Sequence, residues 1–273
     1  MGGWNGSLQM NRVLLLLLGC LPAAALAASP GTPTLTPADR KWQPFGLADR
    51  AAVLGDLAEP FCPSVTLLRL RPETRLPPHS VPVDRTYLVL SGTIHVGFGK
   101  KWDDAGMKTL PPGSFWLVPA NTSTFEWSED EVVCQVTVAR PAKDCPRPEE
   151  PVSLTPDQVA WRPLGTGERA VLAGDPDQPA CPSVVRYRFP AGEPSLAPAD
   201  ATGRGSHWTV LSGALLRETG APGDAAAVSR DLPPGTVFVP PEGQFPKAGV
   251  ETVVEREFPG TGPPICVWRS LHR

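Results

Sequence analysis

Residues 77–92 of the chain read PPHSVPVDRTYLVLSG. The two prolines and the histidine at its start are typical of a loop. Residues 85–90 are rich in β-branched and aromatic side chains and predict a strand, and the Ser-Gly pair that follows predicts a tight turn. The stretch therefore predicts a loop that places side chains at the open end of a barrel, followed by one strand of that barrel.

The composition favours an all-β protein. The 273 residues include 35 prolines and 26 glycines, and only 19% are charged. Long amphipathic helical patterns are absent, as expected of short strands joined by turns. In the first half of the chain, short apolar or alternating segments predict the strands of a small barrel or jelly roll at residues 65–70, 87–90, 93–98, 114–118, 123–127 and 132–138. The net charge of −3 gives no attraction for phosphate backbones, so we expect no nucleic-acid partner.

The N-terminal segment is typical of a secretory signal peptide. Arg12 precedes an apolar run, and Ala25 and Ala27 form a small-residue site for cleavage after Ala27. We therefore expect a signal peptide at residues 1–27, a disordered leader at residues 28–34, and a periplasmic or secreted protein. The apolar run is too short to span a bilayer, so no membrane span is expected. A lipoprotein anchored through Cys20 is the alternative.

The rest of the chain contains an internal repeat. The sequence CPSV at residues 62–65 recurs at 181–184, LSG at 90–92 recurs at 211–213, and PPG at 111–113 recurs at 233–235. Matches in one order and at such long spacing indicate duplication of a domain rather than a solenoid of short units. The repeat predicts domains at residues 35–145 and 152–273, joined by a proline-rich linker at residues 146–151.

Four cysteines occupy equivalent places near the start and end of the two repeats. This symmetry predicts disulfides Cys62–Cys145 and Cys181–Cys266, which an exported chain permits. Cys134 is then unpaired, and its position between apolar residues predicts a buried thiol. A zinc site is disfavoured because no C-x-x-C spacing exists.

Residues 73–92 and 111–124 resemble the two motifs of the cupin superfamily, and the duplication makes the chain similar to a bicupin. The resemblance implies two tandem double-stranded β-helix barrels of the jelly-roll type. Its spacing fits the first repeat without gaps, and Asn121 keeps the frame of the second motif. Glu73, however, stands where the family has a glycine.

The metal-binding positions of repeat 1 are mostly altered. The resemblance implies that His79 is the one retained ligand, that Val81 replaces a second histidine, that Arg85 replaces a glutamate and that Thr124 replaces the last histidine. A permanent cation at a ligand position repels a divalent metal. We therefore expect no metal cofactor in repeat 1.

Repeat 2 departs further from the motifs. Counting back from Gly213 places Asp200, Thr202 and Ser206 at ligand positions, which preserves no metal set. His207 lies one residue beyond the glutamate position, and strand alternation turns it away from the other ligand positions.

The altered pocket of repeat 1 predicts recognition of a small anionic ligand. Arg85 can bind a carboxylate through its planar guanidinium. His79, Tyr87 and Thr124 complete the set of candidate ligand-binding residues. Alternatively, Arg85 forms a structural ion pair with Asp84, Glu73 or Glu126.

Two classes of function follow. The first is an exported bicupin-like protein without catalytic activity, which binds a small molecule or serves a structural role. The second is an enzyme, either metal-dependent with unconventional ligands from His79, Asp84 and His95, as a dioxygenase or an isomerase, or independent of metal. Exposed strand edges also favour a homodimer.

Overall fold

The computed structural model describes residues 34–55, 62–139, 141, 143–178, 180–192, 206–219, 228–240 and 246–260. The predicted signal peptide, most of the leader and Cys266 lie outside these residues. The described chain consists of strands and short 3₁₀ turns, which confirms the all-β prediction. No helix in this part of the chain is long and apolar enough to cross a membrane.

The strands of the first half pair in antiparallel fashion throughout. In chain order they are β1 (Thr34–Leu35), β2 (Gln43–Phe45), β3 (Ala48–Leu54), β4 (Ser64–Leu70), β5 (Thr74–His79), β6 (Asp84–Ser91), β7 (Ile94–Phe98), β8 (Lys108–Leu110), β9 (Phe115–Val118), β10 (Thr124–Ser128) and β11 (Val132–Ala139). Short 3₁₀ turns lie at Pro37–Asp39 and Asp104–Gly106.

The second half repeats this order. Its strands are β12 (Val152–Leu154), β13 (Arg162–Leu164), β14 (Gly167–Gly174), β15 (Ser183–Phe189), β16 (His207–Ser212), β17 (Leu215–Thr219), β18 (Val228–Leu232), β19 (Val237–Phe238), β20 (Lys247–Ala248) and β21 (Thr252–Phe258). The 3₁₀ turn Pro156–Gln158 matches Pro37–Asp39 of the first half.

Each repeat is built from one large and one small sheet. In the first, the order β12-β9-β6-β11-β4-β3-β2 is accompanied by the sheet β5-β10-β7-β8. In the second, the order β1-β19-β16-β21-β15-β14-β13 is accompanied by β18-β17-β20. A buried apolar cluster lies in each repeat, with Tyr87, Val89 and Trp116 in one and Tyr187 and Trp208 in the other.

The two large sheets pack against one another through the faces that point away from their own barrels. On β6, Tyr87 and Val89 point into the barrel of repeat 1, whereas the hydroxyl of Thr86 donates to the Glu257 carboxylate of repeat 2 at 2.9 Å. This alternation is the two-residue period of a strand that is buried on both sides. The interface between the repeats is therefore part of the protein interior.

The repeats also exchange their first strands. Leu35 of β1 pairs with Val237 of β19 in repeat 2, and Leu154 of β12 pairs with Phe115 of β9 in repeat 1. Each exchanged leucine joins an apolar cluster with residues from both halves of the chain. The described residues from Thr34 onward accordingly belong to one compact unit.

The proline-rich start of residues 77–92 is a strand rather than the predicted loop. Pro77 and Pro78 belong to β5, the edge strand of the small sheet of repeat 1. The pairing of β5 with β10 shifts register between Thr124, opposite His79, and Glu126, opposite Leu76. Proline lacks a backbone N–H and fits a sheet only at such edges and bulges, which is why the pattern looked like a loop.

Two positions of the cupin-like motifs keep a left-handed backbone although they have lost glycine. Glu73, at the first glycine position, has φ 57°, and Asn121, in the second motif, has φ 63°. Left-handed residues other than glycine are uncommon. The backbone of the motifs is thus preserved where the side chains have changed.

The predicted disulfides Cys62–Cys145 and Cys181–Cys266 are wrong. Cys145 is bonded to Cys181, with 5.4 Å between their Cα atoms, and Cys62 forms a disulfide whose second cysteine lies outside the described residues. The prediction assumed that each repeat closes on itself, whereas Cys145 at the end of repeat 1 is joined to Cys181 near the start of repeat 2. Sequence spacing does not distinguish these pairings. Cys134 is free and buried, as predicted.

Candidate ligand-binding site

The barrel of repeat 1 contains a cavity of about 410 Å³ at the position that the motifs indicate. His79 reaches it from the end of β5, and Arg85 and Tyr87 reach it from β6. Thr124 lies behind the wall on β10, where its hydroxyl donates to Glu126 at 2.9 Å. Three of the four sequence-predicted residues therefore line the cavity, and Thr124 is connected to it only through Glu126.

Glu126 is the site residue that the ligand prediction missed. The residue as a whole is 3% exposed and lines the cavity. Oε1 accepts from Thr124, whereas Oε2 has no hydrogen-bond partner and lies 3.8 Å from Nδ1 of His79. Because Glu126 follows Thr124 by two residues on a strand, alternation places both on one face. That spacing was the signal available in the sequence.

Burial controls the electrostatics of the Glu126 carboxyl. Loss of solvent raises its pKa above the usual value, and the nearby His79, the hydrogen bond from Thr124 and the charge of Arg85 oppose this only in part. A carboxyl group in such surroundings takes up a proton more readily than one in water. Glu126 therefore holds a proton more tightly than an exposed glutamate does.

The Arg85 guanidinium is half-buried and forms no ion pair with an acid among the described residues. Its Nη1 lies 3.4 Å from the Tyr87 hydroxyl, and its Nε has no hydrogen-bond partner. Asp84, the acid next in sequence, instead accepts from the backbone N–H of Ala120 at 2.8 Å. The cation is therefore available to a ligand.

Apolar side chains form most of the cavity wall. Tyr87 stacks on Trp116 with 4.4 Å between ring centroids, and burial raises the pKa of the Tyr87 hydroxyl. The remaining apolar wall is formed by Phe45, Leu47, Leu68, Leu70, Leu76, Pro77, Val81 and Ile94. The site is an apolar chamber with one cation, one buried carboxyl and one imidazole.

The counterpart in repeat 2 is described only in part. Asp200 and Thr202 lie outside the described residues. Ser206 accepts from Nε of Arg256 at 3.3 Å. His207 points away from this barrel, as alternation predicted, and its Nε2 lies 3.1 Å from the Glu257 carboxylate at the interface between the repeats.

No protein-family model and no curated protein match the sequence. The fold, in contrast, is similar to that of solved oxalate decarboxylases. The formate complex of the Lactobacillus farciminis enzyme matches with a TM-score of 0.52 and 12% identity, over 89% of this chain and 89% of that one. A mutant of the Bacillus subtilis enzyme matches with a TM-score of 0.52 and 10% identity, over 88% of this chain and 79% of that one.

These oxalate decarboxylases are bicupins, and the similarity covers both repeats. The chain has the bicupin fold. At this level of identity the similarity concerns the fold alone, so the chemistry of the bicupin site has to be read from its own residues.

Those residues do not fit the divalent metal that the bicupin resemblance implies. In the cavity of repeat 1, His79 and Glu126 are the pair of donors, and Arg85 occupies the same space. At 4 Å and an effective dielectric constant of about 20, each unit of charge on a metal would cost on the order of 4 kcal/mol beside this cation. Within the described ranges, no group of three His, Cys, Asp or Glu residues is arranged to hold a metal ion.

Proposed function

We propose that this protein is an exported bicupin without catalytic activity, which binds a small carboxylate in the barrel of repeat 1. The observation that carries the proposal is the Arg85 guanidinium, which lines an apolar cavity without an acidic partner among the described residues. Removing a cation from water is costly unless an anion compensates it. A carboxylate accepts two parallel hydrogen bonds from a guanidinium.

The shape of the cavity favours a ligand with an apolar body. About 410 Å³ is within the usual size of small-molecule sites. Leu68, Leu70, Ile94 and Trp116 supply apolar contacts. A protonated Glu126 can donate a hydrogen bond from Oε2 to the ligand, because that oxygen has no protein partner. An aliphatic or aromatic monocarboxylate meets these requirements.

Export rests on the signal-peptide pattern of residues 1–27. The Cys145–Cys181 disulfide agrees with it, because disulfides persist mainly in oxidising compartments. The cavity offers the donor pair His79 and Glu126 in place of the metal set of the motifs, which is why we assign binding rather than metal-dependent catalysis.

Calorimetric titration of the mature protein with hexanoate and phenylacetate tests the binding role. We expect saturable binding at one site and quenching or shift of Trp116 fluorescence. Arg85→Ala should weaken binding by about tenfold or more, because a hydrogen bond to a charged group contributes about 1.5–3 kcal/mol. Binding of the same strength in Arg85→Ala would contradict the proposal.

Two controls sharpen this test. Arg75→Ala removes an exposed arginine of the same barrel that lies over Trp102 and Trp127, and it should leave hexanoate binding unchanged. Hexanamide, which lacks the negative charge, should bind more weakly than hexanoate. Metal analysis of protein purified without chelator addresses the enzymatic alternative, and near-stoichiometric iron, manganese, zinc or nickel would defeat the metal-free site.

A further inference from the structure

The two repeats have diverged at the faces that they present to one another. Leu67 lies opposite Gln135 in the pair β4–β11. At the equivalent place in the pair β15–β21, Arg186 lies opposite Glu255. Repeat 1 therefore contributes an uncharged pair to the interface where repeat 2 contributes a buried arginine and a buried carboxyl group.

Arg186 has an unused hydrogen-bond donor although its side chain is only 3% exposed. Its Nε donates to Oε2 of Glu255 at 2.7 Å, but its Nη2 has no partner, and neither has Oε1 of Glu255. Buried polar groups in native proteins are almost always satisfied. A free donor on a buried cation therefore points to an acceptor that is not part of the protein.

A cavity of about 240 Å³ lies between the repeats at this place. Arg186 and Arg188 both line it, together with Leu90, Leu211 and Trp161. Arg188 is half-buried, stacks over Trp161 at 4.2 Å and pairs with Glu168. Pro112 and Pro156 are exposed lining residues, which gives small solutes an entry to the cavity.

We infer that this cavity is a second binding site, specific for a small oxyanion that accepts hydrogen bonds from Nη2 of Arg186 and is attracted by Arg188. Sulfate, phosphate and short carboxylates share the required chemistry, because each offers several charged acceptor oxygens to a guanidinium. The site is separate from the barrel cavity and is formed by residues of both repeats.

Protonation of Glu255 controls the charge of the site. Arg186 on β15 and Glu257 on β21 face this carboxyl group. His207 on β16 is paired with Glu257, and neutral Gln135 of repeat 1 contacts His207 and Glu257. Burial raises the pKa of Glu255 to about 7, against the opposing charge of Arg186. Below that pH, Arg186 loses its counter-charge and the cavity becomes more positive. Oxyanion binding is therefore coupled to proton uptake.

Calorimetric titration with sodium sulfate, whose charge is constant between pH 6 and pH 8, tests this site. Sodium chloride at the same ionic strength serves as the reference. If binding requires a neutral Glu255, the apparent affinity follows the protonated fraction and is about tenfold higher at pH 6 than at pH 8. Sodium acetate in a parallel titration shows whether the site prefers a tetrahedral oxyanion or a carboxylate.

The equivalent residues of repeat 1 define the substitutions that test this site. Arg186→Leu with Glu255→Gln transfers the Leu67 and Gln135 pair to repeat 2 and should weaken sulfate binding by tenfold or more without unfolding the protein. Glu255→Gln alone should bind sulfate with the same affinity at both pH values. Arg85→Ala, which alters the barrel cavity, should leave the sulfate response intact.

Either of two results would overturn the inference. One is the absence of sulfate and acetate binding above the chloride reference at pH 6, which would mean that water alone solvates Arg186. The other is undiminished binding in the folded double variant. Neither result bears on the hexanoate titration, so the two proposals fail independently.

Discussion

Glu255 and Glu257 lie two residues apart on one strand, and both are buried, yet their acidities shift in opposite directions. Burial raises the pKa of both carboxyl groups. Glu255 has Arg186 as its hydrogen-bond donor and keeps a raised pKa of about 7. Glu257 accepts from Thr86 and Thr137 and is paired with His207, and together these partners lower its pKa. The number of donors, rather than depth, decides the charge state of each carboxyl group.

The raised pKa of Glu255 makes the free energy of unfolding depend on pH. Its pKa in the folded protein is above the usual 4.5, so the folded state holds the proton more tightly. The resulting stabilisation is present in full below pH 4.5 and is lost as the pH rises through 7. At about 1.4 kcal/mol per pKa unit, the loss amounts to about 3 kcal/mol.

We therefore expect Glu255→Gln to flatten the pH profile of stability. Urea unfolding of both proteins at several values between pH 5 and pH 8 measures the effect. The free energy of unfolding of the unmodified protein, relative to that of the variant, should fall by roughly 2–3 kcal/mol across this range. A constant difference between the two proteins would show that Glu255 titrates normally.

At the scale of single elements, the turns after β6 and β16 are held by glycines in the left-handed region. Gly92 has φ 73° and Gly213 has φ 74°. A Cβ atom on Gly92 would lie 2.2 Å from the backbone oxygen of Glu131, and the equivalent atom on Gly213 would lie 2.2 Å from that of Glu251. Both the conformation and the space require glycine.

Alanine at Gly92 should therefore cost more than the conformational penalty alone. Gly46 is the matched control, because its φ is 59° but nothing lies within 4 Å of an added Cβ. We expect Gly46→Ala to lower the free energy of unfolding by about 1–2 kcal/mol. Gly92→Ala should lower it by about 3 kcal/mol or more, since the backbone at the start of β11 has to move. Equal losses in urea unfolding would refute the contribution of the clash.

Much of this element structure could be predicted from the sequence. The predicted segments 65–70, 87–90 and 132–138 lie in β4, β6 and β11, and the predicted segment 93–98 begins one residue before β7. They were predictable because alternation and turn residues are local signals. The strand β5 was not predicted, because its two prolines are more typical of a loop than of a strand. The exchange of β1 and β12 was not predictable from periodicity, since it depends on pairing across some two hundred residues in one case.

The site shows the same division. His79, Arg85 and Thr124 were predicted because they occupy motif positions, and Tyr87 was added to them as a residue of the pocket wall. From the sequence, Arg85 could bind either a ligand or a neighbouring acid. In the structure it is not paired with Asp84, because the Asp84 carboxylate accepts a hydrogen bond from the backbone N–H of Ala120. The hydrogen-bond partner of Asp84 depends on three-dimensional packing and cannot be predicted from local sequence.

At the scale of the whole molecule, the disulfide whose two cysteines are described links the repeats rather than closing one of them. Cys145 of the first repeat is bonded to Cys181 of the second. The internal repeat makes Cys266 equivalent to Cys145 and Cys62 equivalent to Cys181. The same symmetry predicts that Cys62, which is disulfide-bonded, is joined to Cys266.

Peptide mapping of the non-reduced protein tests this pairing. We expect linked peptides for Cys145–Cys181 and Cys62–Cys266, and an alkylatable thiol at Cys134 after unfolding. Closing the 36-residue loop between Cys145 and Cys181 contributes about 4 kcal/mol on the chain-entropy estimate. Detection of a Cys62–Cys145 peptide would instead restore the pairing inside one repeat.

The exchanged strands also determine when, during synthesis of the chain, each large sheet can be completed. β1 is synthesised first among the strands, but its partner β19 is among the last to be made. The large sheet of repeat 1 likewise lacks its edge strand β12 until the chain has passed residue 154. A nascent chain that has completed only repeat 1 therefore lacks the strand that pairs with β1, although most of the apolar neighbours of Leu35 are already made. Repeat 1 therefore obtains its full sheet only after the start of repeat 2 has been made, and β1 obtains its partner strand only near the end of translation.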